Sequence, residues 1–277
     1  MVEDEEIANF HLTDRFRSPQ ETLETLNPNI STWTVQRRLK ERGIYPKNPA
    51  VKPKLSDNHK DCRIKWANTH LRWNEHQWSN VLFTDESSFS VAGKHGNLFC
   101  YRRKKNERYI EETTCEYLNR GYGYVNVWGG IIGNRRTPLI RLNRTLNGQS
   151  YIEDILKSVV VPFIEEEQQY LRNVIFQQDN SPVHTSNVVK NFLQEQSVSV
   201  LPWPAVSPDM NPIENVWAVL GKKVHKANPQ PKSSDELFDC LNTAWNSIDA
   251  NFIEKLTSGM RKRLNAVKQS NGWHTKY

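Results

Sequence analysis

The run Val174-Ile175-Phe176 narrows the fold more than any other stretch of this chain. It is short and almost wholly apolar, and it leads through Gln177-Gln178 to Asp179. This pattern predicts a strand over 174–178 at the centre of a sheet covered on both faces. Val81-Leu82-Phe83-Thr84-Asp85 has the same form, an apolar strand that delivers an aspartate. Two such strands side by side would bring two carboxylates to the same part of the sheet.

The rest of the patterning supplies the layers. Strands are predicted over 81–91, 97–103 and 124–132, the last containing Gly129-Gly130, with a short extension over 137–142. Ser150 to Tyr170 reads as a helix with Ile152, Ile155, Leu156, Val159, Val160 and Phe163 on its apolar stripe and a kink at Pro162. A helix over 183–195, a strand over 198–203, a helix over 212–226 and a helical region over 234–267 follow. Strands, helix, strand, helix, strand and helices in this order describe an α/β fold, a mixed sheet flanked by helices of the ribonuclease H-like type.

Ahead of that domain the reading is helical. Ser18 and Pro19 open a helix over 20–26, and Ser31 caps a second over 32–42 that Gly43 ends. Val35 and Leu39 face inward while Gln36, Arg37, Arg38 and Lys40 face outward, the layout of a small all-α helix-turn-helix domain. Between Ile30 and Arg72 stand eleven Lys/Arg and only three acids, although the whole chain carries a net charge of +6. A basic tract so concentrated is the footprint of a polyanion partner. Within it, the prolines of Tyr45–Leu55 force an extended path whose lysines can follow phosphates. The DNA-contact candidates are Thr34, Gln36, Arg37, Arg38, Lys40, Arg42, Lys47, Lys52 and Lys54. A second basic cluster, Arg102 to Lys105 with Arg108, is expected in a loop of the sheet domain. The expected division is a helix-turn-helix domain over 1–46, a basic linker with a helix over 47–78, and a catalytic domain over 79–277. Trp66, Trp73 and Trp78 are expected to cement that linker to the catalytic domain, with Cys62, Trp66 and Trp73 on the packed side of its helix.

No apolar run approaches a membrane span, and MVEDEEIANF has no secretory h-region, so an intracellular protein is expected. Cys62, Cys100, Cys115 and Cys240 are scattered, with no pairing that suggests zinc, and buried reduced thiols are expected.

Asp85 and Asp179 on adjacent strands, with Glu214 in the first turn of a helix crossing the sheet, make a divalent-metal site for phosphoryl transfer. Two alternatives stand near them in sequence. Glu86 adjoins Asp85, which is preferred because it directly ends the apolar run. Asp209 precedes Glu214 but lies in a proline-rich loop and reads as a turn or cap residue.

VLFTDESSF, QQDNSPVHTS and SPDMNPIENVW resemble the three catalytic motifs of the Tc/mariner superfamily of cut-and-paste DNA transposases, and the 34-residue gap before Glu214 resembles its Tc branch. ISTWTVQRRLKERGI resembles the second helix-turn-helix of the family's paired-type DNA-binding region, and NGWHTKY its C-termini. The resemblance implies two Mg²⁺ or Mn²⁺ ions held by Asp85, Asp179 and Glu214, cleavage at terminal inverted repeats, and joining of 3′ ends into TA targets. It also implies a homodimer on DNA, a nuclear location, and roles for Asn180 and His184 in orienting the carboxylates or positioning DNA. Family members carry a first helix-turn-helix before this region, where this chain has only MVEDEEIA, so that subdomain is expected to be lacking. The alternative function is therefore a truncated or co-opted DNA-binding relic. A nuclease of the same fold without strand transfer is disfavoured by the helix-turn-helix.

Overall fold

The structure is a computed structural model that describes residues 2–14, 16–26, 29–46, 52–91, 123–143, 145–170, 173–227 and 229–277. The chain forms two compact units, Met1–Lys52 and Pro53–Tyr277. The second therefore begins well before the expected boundary at residue 79. The expected strand 97–103, the cluster Arg102 to Arg108, Lys47, Cys100 and Cys115 lie outside the described residues.

In the first unit, α1 (Val2–Thr13), α2 (Pro19–Leu26) and α3 (Thr32–Glu41) surround a small core of Ile7, Val35 and Leu39. The acidic start is helical from Val2, and α1 packs on both α2 and α3, bringing Ile7 to the core. Ser31 caps α3 as expected, its Oγ accepting from the Thr34 N–H. Gly43 adopts φ 74°, the left-handed turn that ends the helix.

The second unit is built on a six-stranded sheet of order β3-β2-β1-β5-β6, with β4 also paired to β2. The strands are β1 (Val81–Ser90), β2 (Tyr124–Ile132), β3 (Arg135–Arg136), β4 (Ile140–Leu142), β5 (Ile175–Gln177) and β6 (Ser199–Val200). β1 runs antiparallel to β2 and parallel to β5, so β1 and β5 sit in the middle as their apolar sequences require.

Alternation along β1 and β2 divides the core into two layers. Val81, Phe83, Val125, Val127 and Ile131 pack on one face with α4 (Asp57–His70), α5 (Glu75–Ser79), α9 (Ile213–His225), α10 (Ser234–Asn246), α11 (Ala250–Ser258) and α12 (Met260–Gln269). Leu82, Trp128, Ile132 and Phe176 pack on the other with the helix formed by α6 (Gly148–Tyr151), a π-helical stretch (Ile152–Val160) and α7 (Val161–Gln169), and with α8 (Asn187–Glu195).

Several local expectations are corrected. Pro162 has no N–H to continue an α-helical ladder, and the chain absorbs it by widening that ladder ahead of the proline, where the Val161 N–H bonds the Leu156 carbonyl. The helical region 234–267 is three helices, separated by the Asp249 cap and by Gly259. The 183–195 helix starts only at Asn187 because residues 181–186 form turns. In α4 the buried positions are Arg63 and Ala67, whereas Cys62 is exposed and Cys240 half-buried, against the expected buried thiols.

The tryptophans do cement α4 and α5 to the sheet. Trp78 is buried and sits 4.8 Å from the Trp73 ring, 6.1 Å from Trp66 and 6.3 Å from Phe83, while Trp66 meets Trp203 at 4.9 Å. The helix expected in a linker thus belongs to the second unit's core.

Gly129 faces the stacked pair Trp217–Trp245. A Cβ there would stand 3.0 Å from Trp245 and 3.1 Å from Trp217, and the Trp245 indole is held by its N–H bond to the Thr137 carbonyl. Overpacking at such a site costs about 1–3 kcal/mol. In α9, Gly221 meets only Phe89 at 3.8 Å, and alanine there adds roughly 0.5–1 kcal/mol of helix propensity. Urea denaturation should therefore give a lowered midpoint for Gly129→Val and an unchanged or raised one for Gly221→Ala. Equal midpoints would contradict the packing described.

Candidate active site

β1 and β5 place the two aspartates by register. Phe83 pairs with Gln177 across the parallel ladder, and Asp85 and Asp179 each lie two residues beyond that pair. The register is locked by Gln177, whose carbonyl accepts from the Thr84 hydroxyl at 2.8 Å and whose side-chain oxygen accepts from the Thr84 N–H at 3.2 Å. β1 continues past Asp85 to Ser90, close to the strand expected over 81–91, so this carboxylate stands in mid-strand.

Strand alternation separates Asp85 from Glu86. Asp85 shares a face with Phe83, the face on which α9 packs, while Glu86 belongs to the opposite face with His184. Glu214 enters from the first turn of α9, which follows the short 3₁₀ turn Pro208–Met210. That turn is tied to β1 by Asn211, whose Nδ2 donates to the Thr84 carbonyl at 3.0 Å while its Oδ1 accepts from the Ile213 N–H at 3.2 Å. Asn211 thereby joins the strand before Asp85 to the helix that carries Glu214. Asp85, Glu86, Asp179 and Glu214 line one cavity of about 510 Å³, whose wall is completed by Trp203 to Pro208. Val206 in this wall adopts φ 52°, a conformation β-branched residues avoid, at a cost on the order of 1–3 kcal/mol.

The electrostatics follow from four carboxylates in one place. Burial raises the Asp85 carboxyl to about 8, and the negative charges of Glu86, Glu214 and Asp179 push the same way. Asp179 is more exposed. Burial alone would raise it, but hydrogen bonds from His184 and Ser181 hold it below the usual carboxylate range. His184 is buried, with Nδ1 2.7 Å from Asp179 Oδ1, Nε2 3.4 Å from Glu86 Oε1, and its ring centroid 4.4 Å from that of Tyr151. Burial alone would lower the imidazole, yet the two carboxylates raise it to about 9, so at neutral pH it is a cation between two anions.

The donor set suits a hard divalent cation, being all carboxylate oxygen, with burial first and then the neighbouring negative charges raising the Asp85 carboxyl. Among the described residues, no group of three His, Cys, Asp or Glu side chains forms a preassembled metal cage.

Most candidates from the sequence come together here, and some do not. Asn180 is at the cavity, its Nδ2 donating to the Trp203 carbonyl at 2.7 Å, and it braces the wall. His184 is held by Asp179, and the Ser181 Oγ accepts from its backbone N–H. Asp209 lies in the 3₁₀ turn, as expected of a turn residue, but its carboxylate is buried and paired with Arg63 at 2.7 Å. Arg63 is accordingly no part of a polyanion-binding face. Neither Asn211 nor the contact of Glu86 with His184 is among the candidates from the sequence. The two-residue offset of Asn211 from Ile213 was a usable signal for the first, whereas the second depends on tertiary contact.

In the first unit, Gln36, Arg37, Lys40 and Arg42 are exposed as expected. Arg38 is half-buried and bonds Asp4 of α1 at 2.7 Å, so it braces the domain. Thr34 closes the N-terminal cap of α3. Trp33, which the charge pattern overlooked, is 69% exposed, with the Arg37 guanidinium 5.8 Å from its ring centroid. Lys52 and Lys54 are exposed.

Comparison with known proteins agrees with this layout. Residues 80–238 match the family described as DDE superfamily endonuclease, and residues 4–72 match a helix-turn-helix family described as Transposase. The expectation of a reduced DNA-binding part is corrected to this extent: a transposase helix-turn-helix region is present. The fold resembles the Mos1 mariner paired end complex with Mn (TM-score 0.77, 20% identity, 99% of this chain and 80% of that one). It also resembles the Mos1 transposase catalytic domain with Raltegravir and Mg (TM-score 0.61, 17% identity, 81% of this chain and 100% of that one). The Transposable element Tc1 transposase of Caenorhabditis elegans is 36% identical over 250 residues, covering 90% of this chain and 89% of its own length. Likeness at that level along almost the whole of both sequences reflects common descent, and the chain belongs to the Tc1/mariner family of DDE transposases.

Proposed function

We propose that Asp85, Asp179 and Glu214 hold two Mg²⁺ or Mn²⁺ ions, and that the protein cuts DNA at terminal inverted repeats and joins the 3′ ends to TA targets. The observation that carries this reading is the matched register of Asp85 and Asp179 with Glu214 above the same sheet face, around one cavity. When bound, a pair of such ions activates the attacking oxygen and stabilises the leaving one in an in-line displacement. The Mn and Mg named for the Mos1 structures support that choice of metals.

The protein's own residues prepare the site. His184 fixes the rotamer of Asp179 and supplies positive charge against the crowding of carboxylates. Asn211 keeps the start of α9 against β1, and Asn180 keeps the wall at Trp203 in place. A cation held by these three carboxylates would compete with the proton on Asp85, which ties metal affinity to pH.

The first unit is the DNA-reading part in this account. Helix α3 presents Trp33, Gln36, Arg37 and Lys40 on its exposed side, Arg42 and Lys52 are further exposed cations of the same unit, and Lys54 at the start of the second unit is another candidate for phosphate contact. Paired-end complexes of Mos1 support a homodimer bridging two transposon ends, and a chromosomal DNA substrate is the ground on which a nuclear location is proposed. No described helix is long and apolar enough to cross a membrane.

Cleavage of a labelled duplex carrying the flanking terminal repeat, with Mg²⁺ or Mn²⁺ present, checks the catalytic assignment. Asp179→Asn should lower the rate by on the order of 10³-fold, the loss of several kcal/mol of transition-state stabilisation. Cutting at the parental rate would sink the assignment. For binding, affinity for a terminal-repeat duplex should fall steeply with salt, and the double variant Arg37→Ala/Lys40→Ala should reduce the salt slope by roughly 2. A flat salt response, or an unchanged slope in that variant, would remove α3 from the interface.

A further inference from the structure

The wall of the active-site cavity and the start of α9 are held by a buried polar cluster that the metal-site assignment leaves unused. Arg63 of α4 is fully buried, and its guanidinium is bonded throughout. Nε donates to the Gly272 carbonyl at 2.9 Å, and Nη1 donates to the Val206 carbonyl at 3.1 Å and to Asp209 Oδ1 at 2.8 Å. Nη2 donates to Asp209 Oδ2 at 2.7 Å and to the Trp273 carbonyl at 3.3 Å. Asp209 Oδ2 also accepts from the backbone N–H and the hydroxyl of Thr275, each at 2.9 Å.

From the far side, Arg263 of α12 donates to the Asp209 carbonyl at 3.1 Å and to the side-chain oxygen of Asn215, the neighbour of Glu214. The segment 272–275 is thus bonded, through Arg63 and Asp209, to the turn that launches α9. Gly272 fits there because it lies against the backbone of Lys60; a Cβ would stand 2.4 Å from that carbonyl oxygen, and its φ is 77°.

A buried ion pair is weak as a source of stability, since desolvation offsets most of its attraction. What this one supplies is geometry. Its bidentate contact fixes the turn ahead of α9, Arg63 also bonds the strained Val206 in the cavity wall, and Arg263 ties the same turn to Asn215 beside Glu214. We propose that Arg63, Asp209 and Thr275 are positioning residues of the metal site, locking the segment 272–275 onto the turn before α9 and so setting Glu214 relative to Asp85 and Asp179. This inference rests on those three carboxylates being the metal ligands.

The test is Mn²⁺ titration of the full chain without DNA, read by calorimetry. Disturbing residues that orient metal ligands typically weakens affinity by 10–100-fold. Asp209→Asn, where it folds, should bind Mn²⁺ at least ~10-fold more weakly, Thr275→Val about 3-fold more weakly, and Thr275→Ser like the parent. Thr257→Val is the control, because it removes the hydroxyl of a threonine more deeply buried than the half-buried Thr275, bonded to the Gly133 carbonyl at 2.8 Å, away from the cavity. If Asp179→Asn abolishes binding while Thr275→Val binds like the parent, the positioning role is wrong and the metal site stands. A loss in Thr257→Val as large as that in Thr275→Val also overturns it. If Asp179→Asn binds as the parent does, or the parent binds no Mn²⁺, the metal site itself fails and this inference with it.

Discussion

The parallel pairing of β1 with β5 is the constraint on which the rest of the second unit depends. Three consecutive residues of each strand are paired, and their side chains are apolar enough to be covered on both faces. Parallel pairing fixes the direction in which both chains leave the ladder, and so two aspartates emerge side by side. Every other element serves either to cover that pair or to bring a third carboxylate to it. α9 does both, burying Val216, Trp217 and Leu220 while its first turn carries Glu214.

Gathering like charges in a half-buried place opposes folding, and the surrounding structure shows how the opposition is met. His184 carries a positive charge into the layer beneath Asp179 and Glu86, where it offsets part of the repulsion. Asp85 meets the remainder by holding its proton. Under the proposed assignment a divalent cation would relieve that repulsion even without a preassembled cage. Rigidity around it comes from polar bonds of high directionality, Asn211 to Thr84 on one side and Arg63 to Asp209 on the other.

The parts legible in the sequence are those specified by local pattern. Val81–Phe83 and Val174–Phe176 announce central strands, and an aspartate following each run is visible as a pair. Pro212 ahead of Glu214 marks a helix start. The helix-turn-helix was legible from Ser31, Val35, Leu39 and Gly43, which are spaced as a capped amphipathic helix requires. What local pattern hides is long-range satisfaction of polar groups. Arg63 stands in a basic tract and reads as surface charge, yet its partner Asp209 is 146 residues away and both are buried. Arg38 likewise reads as a DNA contact but is taken by Asp4. The helical character of α1 was hidden by its acidic composition, because its one buried seam, around Ile7 and Ala8, is too short to show a period.

The central claim is that Asp85, Asp179 and Glu214 jointly hold divalent cations. The most direct measurement is anomalous diffraction from crystals of the protein grown with Mn²⁺. The account predicts anomalous peaks bounded by the carboxylates of Asp85, Asp179 and Glu214. Manganese bound elsewhere, with those three carboxylates apart and unligated, would contradict it.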